Sequence, residues 1–197
     1  MRHAYFMTWL ATARYGLSPA PGGLGFVHDL LNTRSAGRPR QPDLLADVTS
    51  AQGWADGALV AWTEETGLDV PAVVLGEDDL DPLRDLRVDL HAQVAGSITG
   101  AAGHQAGVVL RLGPDGRVRP EPRGTGWRAL ASLALIAIAQ AQSADTWRRL
   151  KTCRNTRCEA AFFDRSRNNS GTWHDVRVCG NPANLRAYRA RQRSEQN

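Results

Sequence analysis

Thr152-Cys153-Arg154-Asn155-Thr156-Arg157-Cys158, then Phe162-Phe163-Asp164-Arg165-Ser166-Arg167-Asn168, Trp173-His174 and Cys179-Gly180-Asn181, form the stretch around which the rest of the chain is organised. It holds all three cysteines of the protein, with a histidine between the second and third, in the order C-x4-C-x15-H-x4-C. Two close pairs of N/S donors separated by a longer segment are spaced as zinc ligands are, because the chain can fold back and close a tetrahedron. Cys153 and Cys158 make the first pair, His174 and Cys179 the second. A segment this short, with few large apolar residues, could not build a core alone, so metal binding would supply the missing folding free energy. Four good ligands close the coordination shell, which indicates structural rather than catalytic zinc.

Around these ligands the sequence predicts a knuckle at residues 153–158, a short strand at 160–164 and a turn at 168–171, where Asn, Ser and Gly supply turn chemistry. Phe162, Phe163 and Trp173 should pack beside the metal. Asn181-Pro182 reads as a helix N-cap followed by proline at the first helical position, opening a helix over 182–193. On it Leu185 and Tyr188 would face the metal module, while Arg186, Arg189 and Arg193 share another face at i, i+3, i+7. Arg191 adds a further cation, and Arg165, Arg167 and Arg177 would contribute from the loop side. A zinc-pinned helix with an arginine face suits DNA, with the phosphate backbone taking most of the contacts.

These residues resemble the CGNR zinc finger. The resemblance is carried by Cys179-Gly180-Asn181, by Asp164-x-Ser166-Arg167-Asn168 and Trp173-His174 before it, and by Tyr188-Arg189-x-Arg191 after it. In that family the finger follows an N-terminal ABATE domain, and the pair is described as a stress-induced transcription regulator of actinobacteria and their relatives. Asp29-Leu30-Leu31-Asn32-Thr33-Arg34 resembles the D-F-V-N-T-R motif near the start of that domain, so the resemblance spans residues 24–193. Three positions depart from the pattern: the third ligand, usually cysteine, is His174; the arginine of the signature is Pro182; and the arginines common before the tryptophan are Gly171-Thr172. The resemblance implies a zinc-dependent, DNA-binding bacterial transcription regulator involved in stress response.

The net charge of +4 hides an asymmetry. Residues 148–197 carry 12 basic and 4 acidic residues, a balance of +8, whereas residues 1–147 carry 12 and 16, a balance of −4. The positive field therefore belongs to the finger. Three cysteines assigned to metal leave none for a disulfide, which predicts a reducing, cytoplasmic setting. Residues 2–14 loosely mimic a short signal peptide, but threonines and a tryptophan interrupt the apolar run, and a secreted fate would conflict with a thiolate site. No stretch has the roughly 18 apolar residues of a membrane span, so no membrane association is expected.

At 197 residues the chain can hold one ordinary domain and a small module. The expected division is an N-terminal extension over 1–23, whose apolar face (Tyr5, Phe6, Trp9, Leu10) would be docked, an ABATE-like helical domain over 24–150, and the finger over 151–197. Apolar spacing predicts helices at 25–32 and 51–66, the second with Trp54, Ala58, Ala61 and Trp62 on one side and Gly67 as its stop. Asp43 would cap a short helix. Residues 68–75 fit helix or extended chain equally. Asp81-Pro82 would open a helix running through Leu83, Leu86, Leu90, Val94 and Ile98 to Gly100. Residues 108–120 read as a β-hairpin around Pro114-Asp115-Gly116. A long helix over 127–150, burying Leu130, Leu133, Leu135, Ile136, Ile138 and Ala139, would lead straight into Cys153. The expected class is α+β: a mainly helical N-terminal domain with one hairpin, plus a small zinc-finger module of knuckle, short hairpin and helix.

Asp29, Asn32 and Arg34 read first as capping and internal hydrogen bonding at a helix end, and second as part of a small-molecule effector pocket. Trp54, Trp62 and Trp127 could line such a pocket, although core packing is the commoner fate of aromatics. No phosphate loop, nucleophile elbow, HExxH or paired-carboxylate arrangement stands out, so no enzyme is expected. Two functions remain. One is a DNA-binding transcription regulator whose N-terminal domain senses a ligand or self-associates, for instance as a homodimer. The other is an adaptor whose finger docks an acidic protein.

Overall fold

A computed structural model describes residues 9–97 and 103–194; within the last helix, the side chains of residues 186, 187, 190, 193 and 194 lie outside the described set. The helices are α1 (Leu10–Ala13), α2 (Leu24–Leu31), α3 (Val48–Thr66), α4 (Glu77–Val94), α5 (Trp127–Ser143) and α6 (Asn181–Ser194). Two antiparallel hairpins complete the α+β architecture: β1 (Val108–Leu112) with β2 (Val118–Pro122), and β3 (Leu150–Thr152) with β4 (Ala161–Phe163).

The short helix α2 is the hub. All eight of its residues are buried, and it touches α1, α3, α4, α5 and β4. Its apolar Leu24, Phe26, Val27, Leu30 and Leu31 need cover on several sides, and its buried His28 and Asp29 need polar partners. Phe26 meets Trp9, Trp54 and Trp62 with ring centroids 5.9–6.4 Å apart, so the tryptophans of α3 serve the core. Gly25 lets Trp9 close on the helix, since a Cβ there would come within 2.6 Å of the indole.

Trp9, Ala11 and Ala20, from the stretch expected as an extension, belong to this core. Trp9, Ala11 and Thr12 are buried, though Leu10 is half exposed; Tyr5 and Phe6 lie outside the described residues. The Arg14 guanidinium donates to the carbonyls of Asn32, Thr33 and Arg34 at 2.7–3.0 Å, closing the C-terminal end of α2.

Several expected boundaries moved. Helix α3 starts at Val48 because Asp47, not a residue nearer 51, accepts from the Ser50 N–H (2.8 Å). Asp43 caps no helix; it accepts from Leu45 N–H and forms a two-pronged ion pair with buried Arg87 (2.6 and 2.8 Å). Helix α4 starts four residues before Asp81, where Asp79 reaches back to the Gly76 N–H (2.8 Å), and Pro82 sits inside the helix. It ends at Val94, and Ile98 and Gly100 lie outside the described residues. Residues 68–75 form neither helix nor strand.

The largest correction concerns α5. It ends at Ser143, followed by Asp145 in the left-handed region (φ 55°) and a 3-10 turn, Trp147–Arg149. Leu135 is half-buried and Ala139 is exposed. No continuous helix joins the core to the finger. Strand β3 does so, pairing Leu150 with Phe163 and Thr152 with Ala161. The expected boundary at 150/151 falls within that strand, and both Leu150 and Ala161 belong to the main core.

Candidate metal centre

The knuckle is built by its backbone. Asn155 O accepts from the N–H groups of Cys158 (2.7 Å) and Glu159 (3.1 Å), while the Asn155 side-chain oxygen accepts from Arg157 N–H (3.3 Å). Glu159 turns the chain through the left-handed region (φ 58°), and Cys153 N–H then donates to Ala160 O (2.9 Å), closing the loop. The second half rests on Asp164, which is buried and accepts from Lys151 Nζ (2.6 Å), Ser166 N–H (2.8 Å) and Gly171 N–H (2.6 Å). Burial alone would raise this carboxyl, but Lys151 and the Ser166 and Gly171 donors outweigh it and hold the group well below the usual carboxylate range. A Cβ at Gly171 would lie 2.8 Å from the carboxylate carbon, so the turn closes only without a side chain there.

The last ligand is delivered by a π-helical turn, Val176–Gly180, whose start is capped by Asp175 accepting from Val178 N–H (2.8 Å). Helix α6 follows directly. Asn181 is already helical (φ −57°, ψ −47°), so the expected asparagine cap is replaced by Asp175, six residues earlier and just before the turn. Gly180 allows Trp173 to approach, as a Cβ would come within 2.9 Å of its ring. Trp173 packs against the cysteines, whereas Phe163 packs against the N-terminal core and not beside them.

These supports bring Cys153, Cys158, His174 and Cys179 together, with one ligand atom from each lying within 4.8 Å of all the others. His174 Nδ1 stands 3.3 Å from Cys158 Sγ, and Asn155 Nδ2 donates to Cys179 Sγ at 3.3 Å. The three sulfurs are buried and the imidazole is half-buried. Three thiols held this closely ionise against one another. A hydrogen bond from Cys158 lowers Cys153, the same contact raises Cys158, and burial raises Cys179. A divalent cation removes this conflict by stabilising all three thiolates, and three buried cysteines with a half-buried histidine make a soft, closed donor set that fits structural Zn2+.

Residues 149–192 match the CGNR zinc finger. That is the description of the family model that this segment fits, and it covers the knuckle, all four ligands and most of α6. No curated protein matches the chain.

Within the CGNR segment the expected DNA contacts fall into groups. Arg167, Arg177, Arg189 and Arg191 are exposed. Arg165 is exposed but occupied: it donates to Pro19 O (2.7 Å) and lies over the Phe163 ring. The side chains of Arg186 and Arg193 lie outside the described residues. Leu185 and Tyr188, expected to face the metal, are instead about half exposed (49% and 54%).

Asp29, Asn32 and Arg34 separate. Asp29 is fully buried and accepts from Thr12 N–H (2.7 Å) and Trp54 Nε1–H (2.9 Å), with burial raising its carboxyl. Asn32, at the end of α2, grips the CGNR segment: its amide accepts from Ala161 N–H (2.9 Å) and donates to Ala161 O (3.1 Å), as a neighbouring strand would. His28 Nδ1 accepts from Ala20 N–H, which leaves Nε2–H to donate to the same Ala161 carbonyl (3.0 Å). Only Arg34 faces a cleft, of about 570 Å³, shared with Asp43, Arg87, His91 and Glu159. There it donates to His91 Nε2 (2.8 Å) and pairs loosely with Glu159 (3.5 Å). The ligand spacing assigns no role to Asn155, Lys151 or Glu159, and Asp164 stands in the sequence only as part of the motif that carries the resemblance. The Asn two residues after Cys153 and the Gly-containing turn after Asp164 were their only local signals.

Proposed function

We propose that the chain is a cytoplasmic bacterial transcription regulator that binds DNA through its zinc finger and is not an enzyme. The carrying observation is the combination of a buried Cys3His cluster with exposed Arg167, Arg177, Arg189 and Arg191 on the segment it organises. That segment lies within residues 148–197, which carry a balance of +8. Zinc would fix the knuckle and the π turn, and so set the direction in which α6 leaves the finger. The N-terminal domain senses a ligand in the cleft beside Arg34 or self-associates. No helix among the described residues is long and apolar enough to cross a membrane.

A random-sequence duplex titrated by fluorescence anisotropy across a salt series tests this. Affinity should fall steeply with salt, fall with Arg189→Ala or Arg191→Ala, and vanish on zinc chelation. Absence of binding even at low salt would exclude the reading. The exposed Leu185 and Tyr188 favour a second one, an adaptor docking an acidic partner through α6. In that case Leu185→Ser and Tyr188→Ser would abolish partner capture and DNA would not be retained.

A further inference from the structure

We infer that DNA contact is not confined to the finger: a groove between loop 37–40 of the N-terminal domain and the zinc knuckle receives a backbone phosphate, held by Arg38, Arg40 and Arg157. The inference rests on the DNA-binding reading and extends it to two residues outside the matched segment.

The groove has a volume of about 600 Å³ and is lined by these three arginines with Gly37, Val178 and Pro182 among its other residues; no acidic side chain lines it. All three arginines are exposed, and none forms an ion pair among the described residues. Arg38 and Arg40 come from the part of the chain with a balance of −4, where Arg84, Arg111 and Arg119 do find carboxylates. Three like charges on one concavity repel, and a multivalent anion relieves that repulsion. Guanidinium groups offer planar forks that match phosphate oxygens two at a time. Val178 and Pro182 supply an apolar wall suited to the sugar between phosphates.

The loop is also fixed in place. Gly37 N–H donates to the carbonyl of the ligand Cys158 (3.0 Å), Gln41 N–H donates to Ala36 O (2.9 Å), and Ala36 is fully buried. Gly37 adopts φ 82° with Tyr15 pressed against it, where a Cβ would come within 2.5 Å of the ring. Arg40 Nη1 donates to Ser35 O (2.7 Å), which spends one of its donors and leaves the others for a ligand. Loop and knuckle therefore move as one body. The groove adjoins Arg177 through Val178, so a strand crossing it continues onto the finger's own cations.

The test uses full-length, zinc-loaded protein and a random-sequence DNA duplex, with dissociation constants measured between about 50 and 200 mM salt. Arg38→Ala, Arg40→Ala and Arg157→Ala should each weaken binding about 3- to 10-fold and reduce the salt slope by about one, and Arg38→Ala/Arg40→Ala by about two. Zinc content and melting temperature should stay at wild-type values in Arg38→Ala. If Arg40→Ala lowers the melting temperature through its lost bond to Ser35, Arg38→Ala and Arg38→Glu decide. Wild-type affinity and slope in both would overturn the groove while leaving DNA binding by the finger intact. A wild-type chain that ignores duplex DNA at low salt removes the parent reading and the groove with it. Preference for single-stranded RNA over the duplex would overturn the assignment of DNA as the occupant.

Discussion

Two asparagines and a histidine hold positions for which no other residue type is chemically equivalent. Asn155 uses its carbonyl, its side-chain oxygen and its side-chain amide to shape the knuckle and to hydrogen-bond Cys179 Sγ. Donors to ligand sulfurs tune metal affinity, so Asn155→Ala should weaken zinc binding by about 10- to 100-fold in chelator competition. Asn32→Ala removes both amide bonds to Ala161 and leaves that buried backbone short of partners. A loss of about 2–4 kcal/mol in urea denaturation is expected. His28 is fully buried and lowered from 6.5 to about 4, mainly by burial. Because the folded value lies below the unfolded one, the stability it confers is complete above about pH 6.5 and is lost as pH falls toward 4. The loss is at most about 3 kcal/mol and should be absent from the acid titration of His28→Gln if that variant folds. At this scale the sequence displayed the four ligands because zinc chemistry demands particular residue types at close spacing. It could not display the partner of Asn32, which lies 129 residues away.

At the scale of elements, type and order were legible where periodicity or turn chemistry was local: α2, α3, the β1–β2 hairpin and β4 appear where the pattern places them, within a few residues, and α4 is present but begins and ends earlier in the chain. Three misplaced helix starts have one cause. Asp43, Asp81 and Asn181 carry cap chemistry, but Asp43 is taken by Arg87, Asp81 by Arg84, and Asp175 performs the task at the finger. Side chains that can cap are also side chains that can pair, and only the fold decides between them. Helix α6 follows from the same logic in reverse. Its main contact with another element is the π turn that carries Cys179, and its apolar Leu185 and Tyr188 are exposed. Its position thus depends on the metal ligand at its start. Cys179→Ser should lose bound zinc and speed amide exchange throughout α6, while β3 and β4 stay protected because Leu150 and Ala161 are anchored in the main core. Unchanged protection of α6 in that variant would show that the helix is held by something other than the metal.

For the molecule as a whole, the finger and the helical domain share too much to melt apart. Strand β3 places Leu150, and β4 places Ala161, in the same core as Phe26, Trp54 and Leu83. Asn32 and His28 both bond Ala161, Gly37 bonds the Cys158 carbonyl, and Arg34 reaches Glu159 beside it. Opening the metal site therefore removes support from α2, and unfolding α2 removes the surface on which the knuckle sits. A ligand bound only to the folded state stabilises every part that unfolds with its site, by about 3–4 kcal/mol when free zinc exceeds its dissociation constant 100- to 1,000-fold. For a chain of this size that corresponds to a rise of about 10 °C in melting temperature. Calorimetry of the zinc-loaded chain should accordingly show one transition. Chelation should shift that whole transition downward, with the fluorescence of buried Trp54 and Trp62 moving in step. Two transitions, with only the smaller sensitive to zinc and the tryptophan signal unaffected, would mean that the finger is an independent module and that the bonds to Ala161 and Cys158 carry little energy.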